Sequence, residues 1–303
     1  MDAPRRHRDD GGRLGPLVTL PPGFAVGHWT DPVGMTGCTV ILCEAGATAG
    51  VDVRGGGVAT IQTDVIGRAS ATALLHAVLL TGGSAFGLVA YDGVMRFLEE
   101  RGIGVAVREW RVPHVAGAVI FDLAVGDARA RPTAASGYAA AKTATADPAE
   151  GQVGAGTGAT VAKLGAGRAP GGLGIASVRA GDATVSAVMV VNALGDVWDA
   201  ERNAWAAKSG PPAAPAGGNT TIGCVVTDAK LDRDAVRRVA MIGHDGLARA
   251  IRPAHTDRDG DTLFCMASGA VATETLAVQR AAAEAVEKAI VRAVRLAGGT
   301  MGT

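Results

Sequence analysis

Aromatic residues are scarce in this sequence, where phenylalanine, tryptophan and tyrosine make up 4% of 303 residues. Glycine is abundant instead, with 44 residues. Such a chain builds its core from small aliphatic side chains and brings backbone segments close together at tight turns. Its apolar fraction of 48% suffices for a sizeable core. We therefore expect a globular protein that needs no disulfides to fold.

A net charge is also absent. The 29 basic residues balance 29 acidic ones, so no overall field attracts nucleic acid or an anionic membrane. The segment Met1–Arg13 is polar, and no apolar run of a secretory signal follows it. The stretch Ala69–Ala90 is apolar but broken by glycines and a histidine, which predicts two buried helices rather than a membrane span. These features predict a soluble, cytoplasmic protein without nucleic-acid or membrane partners.

Signatures of several other chemistries are missing. The four cysteines have apolar neighbours and no C-x-x-C spacing, which indicates buried thiols. The sequence contains no P-loop, and Gly82–Phe86 departs from the nucleophile elbow of α/β-hydrolases at its last position. Gly154–Ala159 approximates a dinucleotide motif but follows polar residues instead of a strand, so we favour a structural glycine loop. We expect no cofactor and no metal.

The apolar periodicity mixes two kinds of secondary structure. Strands are predicted over five apolar runs: Thr39–Cys43, Gly117–Leu123, Thr184–Val191, Thr221–Val226 and Leu263–Ala267. Apolar residues at intervals of three and four predict three helices: Ser84–Arg101 with Ser84 as its N-cap, Asp232–Arg252 and Glu274–Ala297. Residues 1–25 are expected to form a flexible tail before a single domain over residues 26–303. The fold class is therefore α+β.

A linker-like segment leads into one of the predicted strands. Residues 209–218 show no periodicity and consist of serine, glycine, proline and alanine, which together favour turning or extended backbone. Asn219 and Thr220 follow, directly before the apolar run that starts at Thr221. A chain cut at such a junction stays assembled, because neighbouring strands hold the following strand on both sides.

The segment His255–Asp261 carries three acidic residues and admits three interpretations. It resembles a calcium loop, but Gly260 is misplaced and Ser268 stands where a glutamate belongs. It also fits a turn with aspartates as caps. Alternatively, Asp259 and Asp261 project to the same side of an extended chain and form a pair of catalytic carboxylates. The spacing alone does not choose among them.

Four strings, in this order along the chain, resemble one family of self-cleaving hydrolases. They are Gly154–Lys163, Val190–Asp196, Gly218–Gly223 and His255–Phe264. The family is that of the L-aminopeptidase D-amidase/esterases, which includes β-aminopeptidases and endo-type 6-aminohexanoate-oligomer (nylon-oligomer) hydrolases. The resemblance covers roughly residues 25 to 300.

This resemblance implies a four-layer αββα sandwich built from two fragments of one self-cleaved chain, residues 1–219 and 220–303. It also implies a homo-oligomer of cleaved protomers, a tetramer, that hydrolyses small peptides, amides or nylon oligomers. Phe121 stands where the nylon-oligomer enzymes have a tyrosine. A hydroxyl is therefore missing, and the substrate stays open.

The resemblance also implies a set of catalytic residues. Thr220 matches the nucleophile, Asn192 matches the amide that stabilises the oxyanion, and Lys163 matches a lysine near the nucleophile. Asp259 and Asp261 match an acidic pair that orients the nucleophile.

Physical chemistry supports such a mechanism. The Thr220 hydroxyl would attack the carbonyl of Asn219, transfer the acyl group to oxygen and leave an ester that water hydrolyses. The freed α-amine, with a pKa of about 8, then acts as the neighbouring base of the hydroxyl. A Lys163 ammonium would favour the neutral amine through repulsion.

Two other functions are compatible with the sequence. A related sandwich with a threonine nucleophile transfers acyl groups to amino acids such as ornithine, so the acceptor, water or an amine, separates the two activities. An uncleaved binding protein, in which Thr220 only starts a strand, is the other alternative.

Overall fold

The computed structural model describes residues 20–67, 74–213 and 218–298. Its strands are β1 (Ala25–Asp31), β2 (Thr36–Val53), β3 (Thr60–Ile61), β4 (Leu74–Thr81), β5 (Val105–Val107), β6 (Trp110–Val112), β7 (Val115–Val119), β8 (Thr160–Val161), β9 (Ala169–Pro170), β10 (Gly172–Ala180), β11 (Ala183–Asn192), β12 (Asp196–Asp199), β13 (Ala204–Ala207), β14 (Thr220–Ala229), β15 (Ile251–Arg252) and β16 (Thr262–Val271). Its α-helices are α1 (Ala90–Glu100), α2 (Ala134–Lys142), α3 (Arg233–Ala250) and α4 (Thr275–Gly298). The predicted α+β class is confirmed.

Within the described residues, nine strands form the main sheet, in the order β10-β11-β14-β16-β2-β4-β7-β3, with β1 paired to β2. Strand β2 has 18 residues and joins two halves of this sheet. One half contains β1, β4, β7 and β3, and the other contains β10, β11, β14 and β16. The first part of β2 pairs with β1 and β4, while Thr48–Val53 pairs with β16. Strand β14 lies in the half that contains β11 and β16, and it runs antiparallel to β11 and parallel to β16.

Three apolar cores of described residues lie between the layers of the molecule. One core packs α1 and α2 against β2, β4 and β7. A second joins inward side chains from both halves of the sheet, including Val78 and Val190. The third packs α3 and α4 against the other half and includes Val191. Neighbouring residues such as Val190 and Val191 point to opposite faces of a strand. Each half of the sheet therefore packs one face against the other half and its opposite face against helices.

Helices α3 and α4 confirm two of the three helix predictions, and the Asp232 side chain caps α3 by accepting from the N–H of Ala235 at 2.8 Å. The third prediction starts too early. Ser84 has a φ of 52° and opens a 3-10 turn over Ser84–Val89, so α1 begins only at Ala90.

The prediction of two helices over Ala69–Ala90 is wrong. Its residues 69–73 lie outside the described residues, and Leu74–Thr81 forms the buried strand β4. A strand buried on both faces shows a continuous apolar run, which periodicity cannot distinguish from a buried helix. None of the described helices is both long and apolar enough to cross a membrane.

The tail predicted over residues 1–25 falls largely outside the described residues, which begin at Leu20. Leu20 and Phe24 are both buried, each with 3% of its surface exposed. The packed part of the chain therefore begins before residue 25. Of the predicted linker, residues 214–217 likewise lie outside the described residues.

Candidate active site

The first residue of β14 is Thr220, and its neighbours in the sheet assemble the candidate site. Asn192, the last residue of β11, is the register partner of Thr220, and Asn219 forms an isolated bridge with Asp259 ahead of β16. Thr220 is 5% exposed. Its hydroxyl donates a hydrogen bond to the carbonyl oxygen of Asn219. A potential oxygen nucleophile and the carbonyl of the preceding peptide are therefore in contact in a buried place.

The backbone of Gly260 supplies a second donor to this carbonyl. Its N–H donates to the oxygen of Asn219 at 3.0 Å. A Cβ at this position would lie 2.5 Å from the carbonyl oxygen of Gly57 and 3.0 Å from the Thr220 hydroxyl oxygen, so the space admits only glycine. A backbone N–H aimed at a carbonyl that becomes tetrahedral is the typical element of an oxyanion hole. The sequence analysis missed this donor because a backbone group has no side-chain signature.

Asn192 is fully buried and uses both ends of its amide. Its Nδ2 donates to the carbonyl oxygens of Phe121 at 3.1 Å and Gly218 at 3.3 Å. Its Oδ1 accepts from Lys163 Nζ at 3.2 Å. The side-chain amide of Asn192 thus binds the carbonyl of Gly218. The next carbonyl, that of Asn219, accepts hydrogen bonds from Thr220 and Gly260.

Lys163 follows β8 and is 4% exposed. Its Nζ also donates to the backbone oxygen of Asn192 at 3.1 Å. Burial lowers the pKa of Lys163 to about 7; the charge of Asp259 opposes this shift and that of Arg168 adds to it. Near neutral pH a large fraction of Lys163 is neutral and able to accept a proton. This differs from the permanent ammonium that the sequence interpretation assumed.

Asp259 and Asp261 are both 2% exposed, and their carboxylates accept hydrogen bonds from neighbouring backbone N–H groups. Asp261 Oδ1 accepts from the N–H of Thr221 at 2.7 Å, and its Oδ2 accepts from the N–H of His255 at 3.0 Å. Asp259 Oδ2 accepts from the N–H of Thr256 at 3.0 Å. Burial raises the pKa of Asp259, hydrogen bonds from Thr256 oppose the shift, and the charge of Asp261 adds to it. Asp261 therefore ties the start of β14 to the segment before β16, and Asp259 holds the turn within that segment.

His255 is a further contact of Asp261 that the sequence analysis did not single out. Its Nδ1 lies 2.7 Å from Asp261 Oδ2, and its ring meets that of His244 on α3 edge to face, with centroids 4.8 Å apart. Burial lowers the pKa of His244 to about 4, so this ring is neutral at pH 7. His255 reaches the carboxylate through a backbone φ of 58°, a local conformation that no sequence spacing predicts.

A cleft of about 410 Å³ opens beside these residues. Its lining includes Phe121, Lys163, Arg168 and Gly218. Gly218 has a φ of 79°, and a Cβ there would lie 2.2 Å from a ring carbon of Phe121. The residue two positions before Thr220 therefore follows a path that only glycine can take.

The chain is similar to known proteins over most of its length. The model of peptidase family S58 matches residues 19–303. An uncharacterized aminopeptidase of Mycobacterium tuberculosis is 44% identical over 282 residues, which cover 82% of this chain and 80% of that protein. The 6-aminohexanoate-oligomer endohydrolase of Kocuria sp. is 33% identical over 273 residues, covering 81% of this chain and 73% of the other.

A solved structure shows the same fold. The L-aminopeptidase D-Ala-esterase/amidase from Ochrobactrum anthropi matches with a TM-score of 0.72 and 21% identity, over 92% of this chain and 88% of that one. Its fold is a variant of the Ntn (N-terminal nucleophile) hydrolase fold.

Proposed function

The chain belongs to peptidase family S58, and from this premise we propose that it cuts its own bond between Asn219 and Thr220 and then hydrolyses amides with Thr220 as nucleophile. Amide hydrolysis is the chemistry common to the family and to the 6-aminohexanoate-oligomer endohydrolase relative. The substrates are small peptides or 6-aminohexanoate oligomers. The acyl-transferase and binding-protein alternatives have no observation in their favour.

One observation carries the proposal: the carbonyl of Asn219 accepts hydrogen bonds from both the Thr220 hydroxyl and the Gly260 N–H. In the first step the Thr220 oxygen bonds to this carbonyl carbon, and the Gly260 N–H stabilises the negative oxygen that forms. The carbon–nitrogen bond then breaks, the nitrogen takes a proton and becomes the α-amine of Thr220, and Asn219 is left as an ester. Water hydrolyses the ester and frees the hydroxyl.

We assign Lys163 as the base of this first reaction, because its Nζ binds Asn192, the register partner of Thr220. The nitrogen of Thr220 is still an amide in the uncut chain and accepts no proton, so another group has to take the hydroxyl proton. With its pKa lowered to about 7, Lys163 has a neutral fraction suited to that role. After the cut, the α-amine of Thr220 serves as the base for substrates.

Asn192 acts on the substrate after the cut. Its Nδ2 holds the carbonyls of Phe121 and Gly218 in the uncut chain. Once residue 219 is a free end, the hydrogen bond to Gly218 can exchange for one to the oxyanion of a substrate, alongside the N–H of Gly260.

The direct test is the covalent state of the purified protein. We expect fragments of residues 1–219 and 220–303 that stay associated under native conditions, because β14 and β16 of the small fragment pair with β11 and β2 of the large one. Intact mass under denaturing conditions and N-terminal sequencing of the small fragment measure this. A single full-length species, or a small fragment that begins elsewhere than Thr220, would refute the proposal.

Gly218→Ala should slow self-cleavage by roughly tenfold or more, because a left-handed backbone costs an alanine about 1–2 kcal/mol and the methyl group also meets the Phe121 ring. The rate is measured on gels after rapid purification. Gly167→Ala is the matched control: Gly167 also lines the cleft with a φ of 82°, but open space surrounds its Cβ direction. Equal cleavage rates for the two variants would show that the Phe121 contact does not position the bond.

A further inference from the structure

Among its described lining residues, the cleft beside Thr220 has basic ionisable side chains and no acidic ones. The ionisable side chains are those of Lys163 and Arg168, and the other lining residues are small, apolar or neutral. Residues 214–217, which precede Gly218 in the chain, are Ala-Pro-Ala-Gly in the sequence and bring no charge. The cleft therefore presents one permanent cation, Arg168, and a lysine that is partly charged near neutral pH.

Arg168 carries the fixed part of this charge. Its Nη1 donates to the carbonyl oxygen of Ala124 at 3.2 Å, and because both residues line the cleft, the guanidinium is anchored at its wall. Within the part of the chain that the structure describes, no carboxylate forms an ion pair with it. A guanidinium has five N–H donors, and those not used by Ala124 have the planar geometry that binds a carboxylate.

The loop that bears Arg168 is held in place. The N–H of Leu164 donates to the hydroxyl of Ser209 at 3.1 Å, and the N–H of Ala166 donates to the carbonyl of Pro211 at 2.8 Å. Gly165 also forms a bridge with Pro212. The guanidinium is thus presented from a wall that other backbone segments support, rather than from a free chain end.

The uncut chain indicates which part of a substrate enters this cleft. Gly218 belongs to the acyl side of the bond between Asn219 and Thr220, and it lines the cleft with Phe121 and Lys163. A substrate carbonyl attacked by the same Thr220 oxygen has its acyl group on the same side. The acyl portion of the substrate, rather than its amine portion, therefore lies towards Arg168.

Resting on the proposed function, we infer that Arg168 selects amides whose acyl group carries a carboxylate beyond the reacting carbonyl. A guanidinium–carboxylate pair is favourable there, and an ammonium at the same place is repelled by the like charge of Arg168. The carboxylate comes from a dicarboxylic acyl group or from the side chain of an acidic amino acid, so of the two proposed substrate classes this inference favours small peptides over 6-aminohexanoate oligomers.

Three p-nitroanilides of equal acyl length test the charge preference: 4-carboxybutanoyl, pentanoyl and 4-aminobutanoyl. With the wild-type protein we expect kcat/KM to fall in that order, by on the order of tenfold between the first two, as for one hydrogen bond to a charged group at a partly exposed site. L-Glutamyl and L-glutaminyl p-nitroanilides form a second isosteric pair, which tells an acidic amino acid from a dicarboxylic acyl group. Uncatalysed rates are subtracted.

Arg168→Gln should bring the ratio of the 4-carboxybutanoyl to the pentanoyl substrate close to one. Arg129→Gln is the control, because Arg129 is an equally exposed arginine outside the lining of the cleft. An unchanged ratio in Arg168→Gln, or faster wild-type hydrolysis of the 4-aminobutanoyl substrate, overturns the inference and leaves the proposed function standing. Failure of the wild type to hydrolyse any of the five anilides would instead count against the proposed function.

Discussion

Thr220→Ala is expected to leave the chain uncut and to lower amide hydrolysis to the background rate. Self-cleavage and turnover both use the hydroxyl that contacts the carbonyl of Asn219. Removing the nucleophile of a serine hydrolase lowers kcat by on the order of 10⁶-fold, and we expect a loss of that size. The assay is p-nitroanilide hydrolysis by the variant and the wild type at matched protein concentration, with circular dichroism to verify the fold.

Thr220→Ser is the companion variant. It keeps the oxygen but loses the methyl group that restricts χ1, so the hydroxyl is held less firmly in its attacking rotamer. We expect partial self-cleavage and reduced turnover, which separates loss of the nucleophile from a general disturbance of β14. An alanine variant that still hydrolyses substrate at a substantial fraction of the wild-type rate would place catalysis elsewhere, with Asp259 and Asp261 as the next candidates.

Lys163→Met should slow self-cleavage by roughly 10²- to 10⁴-fold, the usual contribution of a positioned base. Methionine keeps an unbranched apolar side chain in the buried space and removes the amine, together with its hydrogen bonds to Asn192. Lys142→Met is the matched control, since Lys142 lies in the last turn of α2, away from the cleft. Normal self-cleavage in Lys163→Met would remove Lys163 from the mechanism.

The same base gives self-cleavage a defined pH dependence. The charged form of Lys163 has no free electron pair, so the rate should be low below its pKa of about 7 and rise as the pH passes through that value. The slow Gly218→Ala precursor, purified at low pH and shifted to a series of higher pH values, allows the measurement before an α-amine exists. In the double variant with Lys163→Met, the rise around pH 7 should disappear.

After the cut, turnover has a second titrating group. The α-amine of Thr220 has an ordinary pKa of about 8, and it accepts a proton only when neutral. Turnover should therefore continue to rise with pH beyond the range in which Lys163 titrates. A single rise at the same pH for both reactions would argue that one group serves both.

The sequence by itself determined the elements whose signals are local. The apolar run after Thr220 predicted β14, the three-and-four periodicity over Asp232–Arg252 predicted α3, and four ordered motifs indicated the family. These predictions succeeded because apolar runs, helical periodicity and short motifs are set by residues close together in the chain. The helix prediction for Leu74–Thr81 was wrong because a strand buried on both faces shows a continuous apolar run, which does not distinguish it from a buried helix.

Only the tertiary structure decided how the candidate site is assembled. The N–H of Gly260 reaches the carbonyl of Asn219 because the segment ahead of β16 lies beside the start of β14, a pairing across 40 residues of sequence. The pKa of Lys163 falls to about 7 because segments distant in the chain bury its amine. Register, burial and the distance between charges depend on which strands become neighbours, and a residue pattern fixes none of them before the sheet has formed.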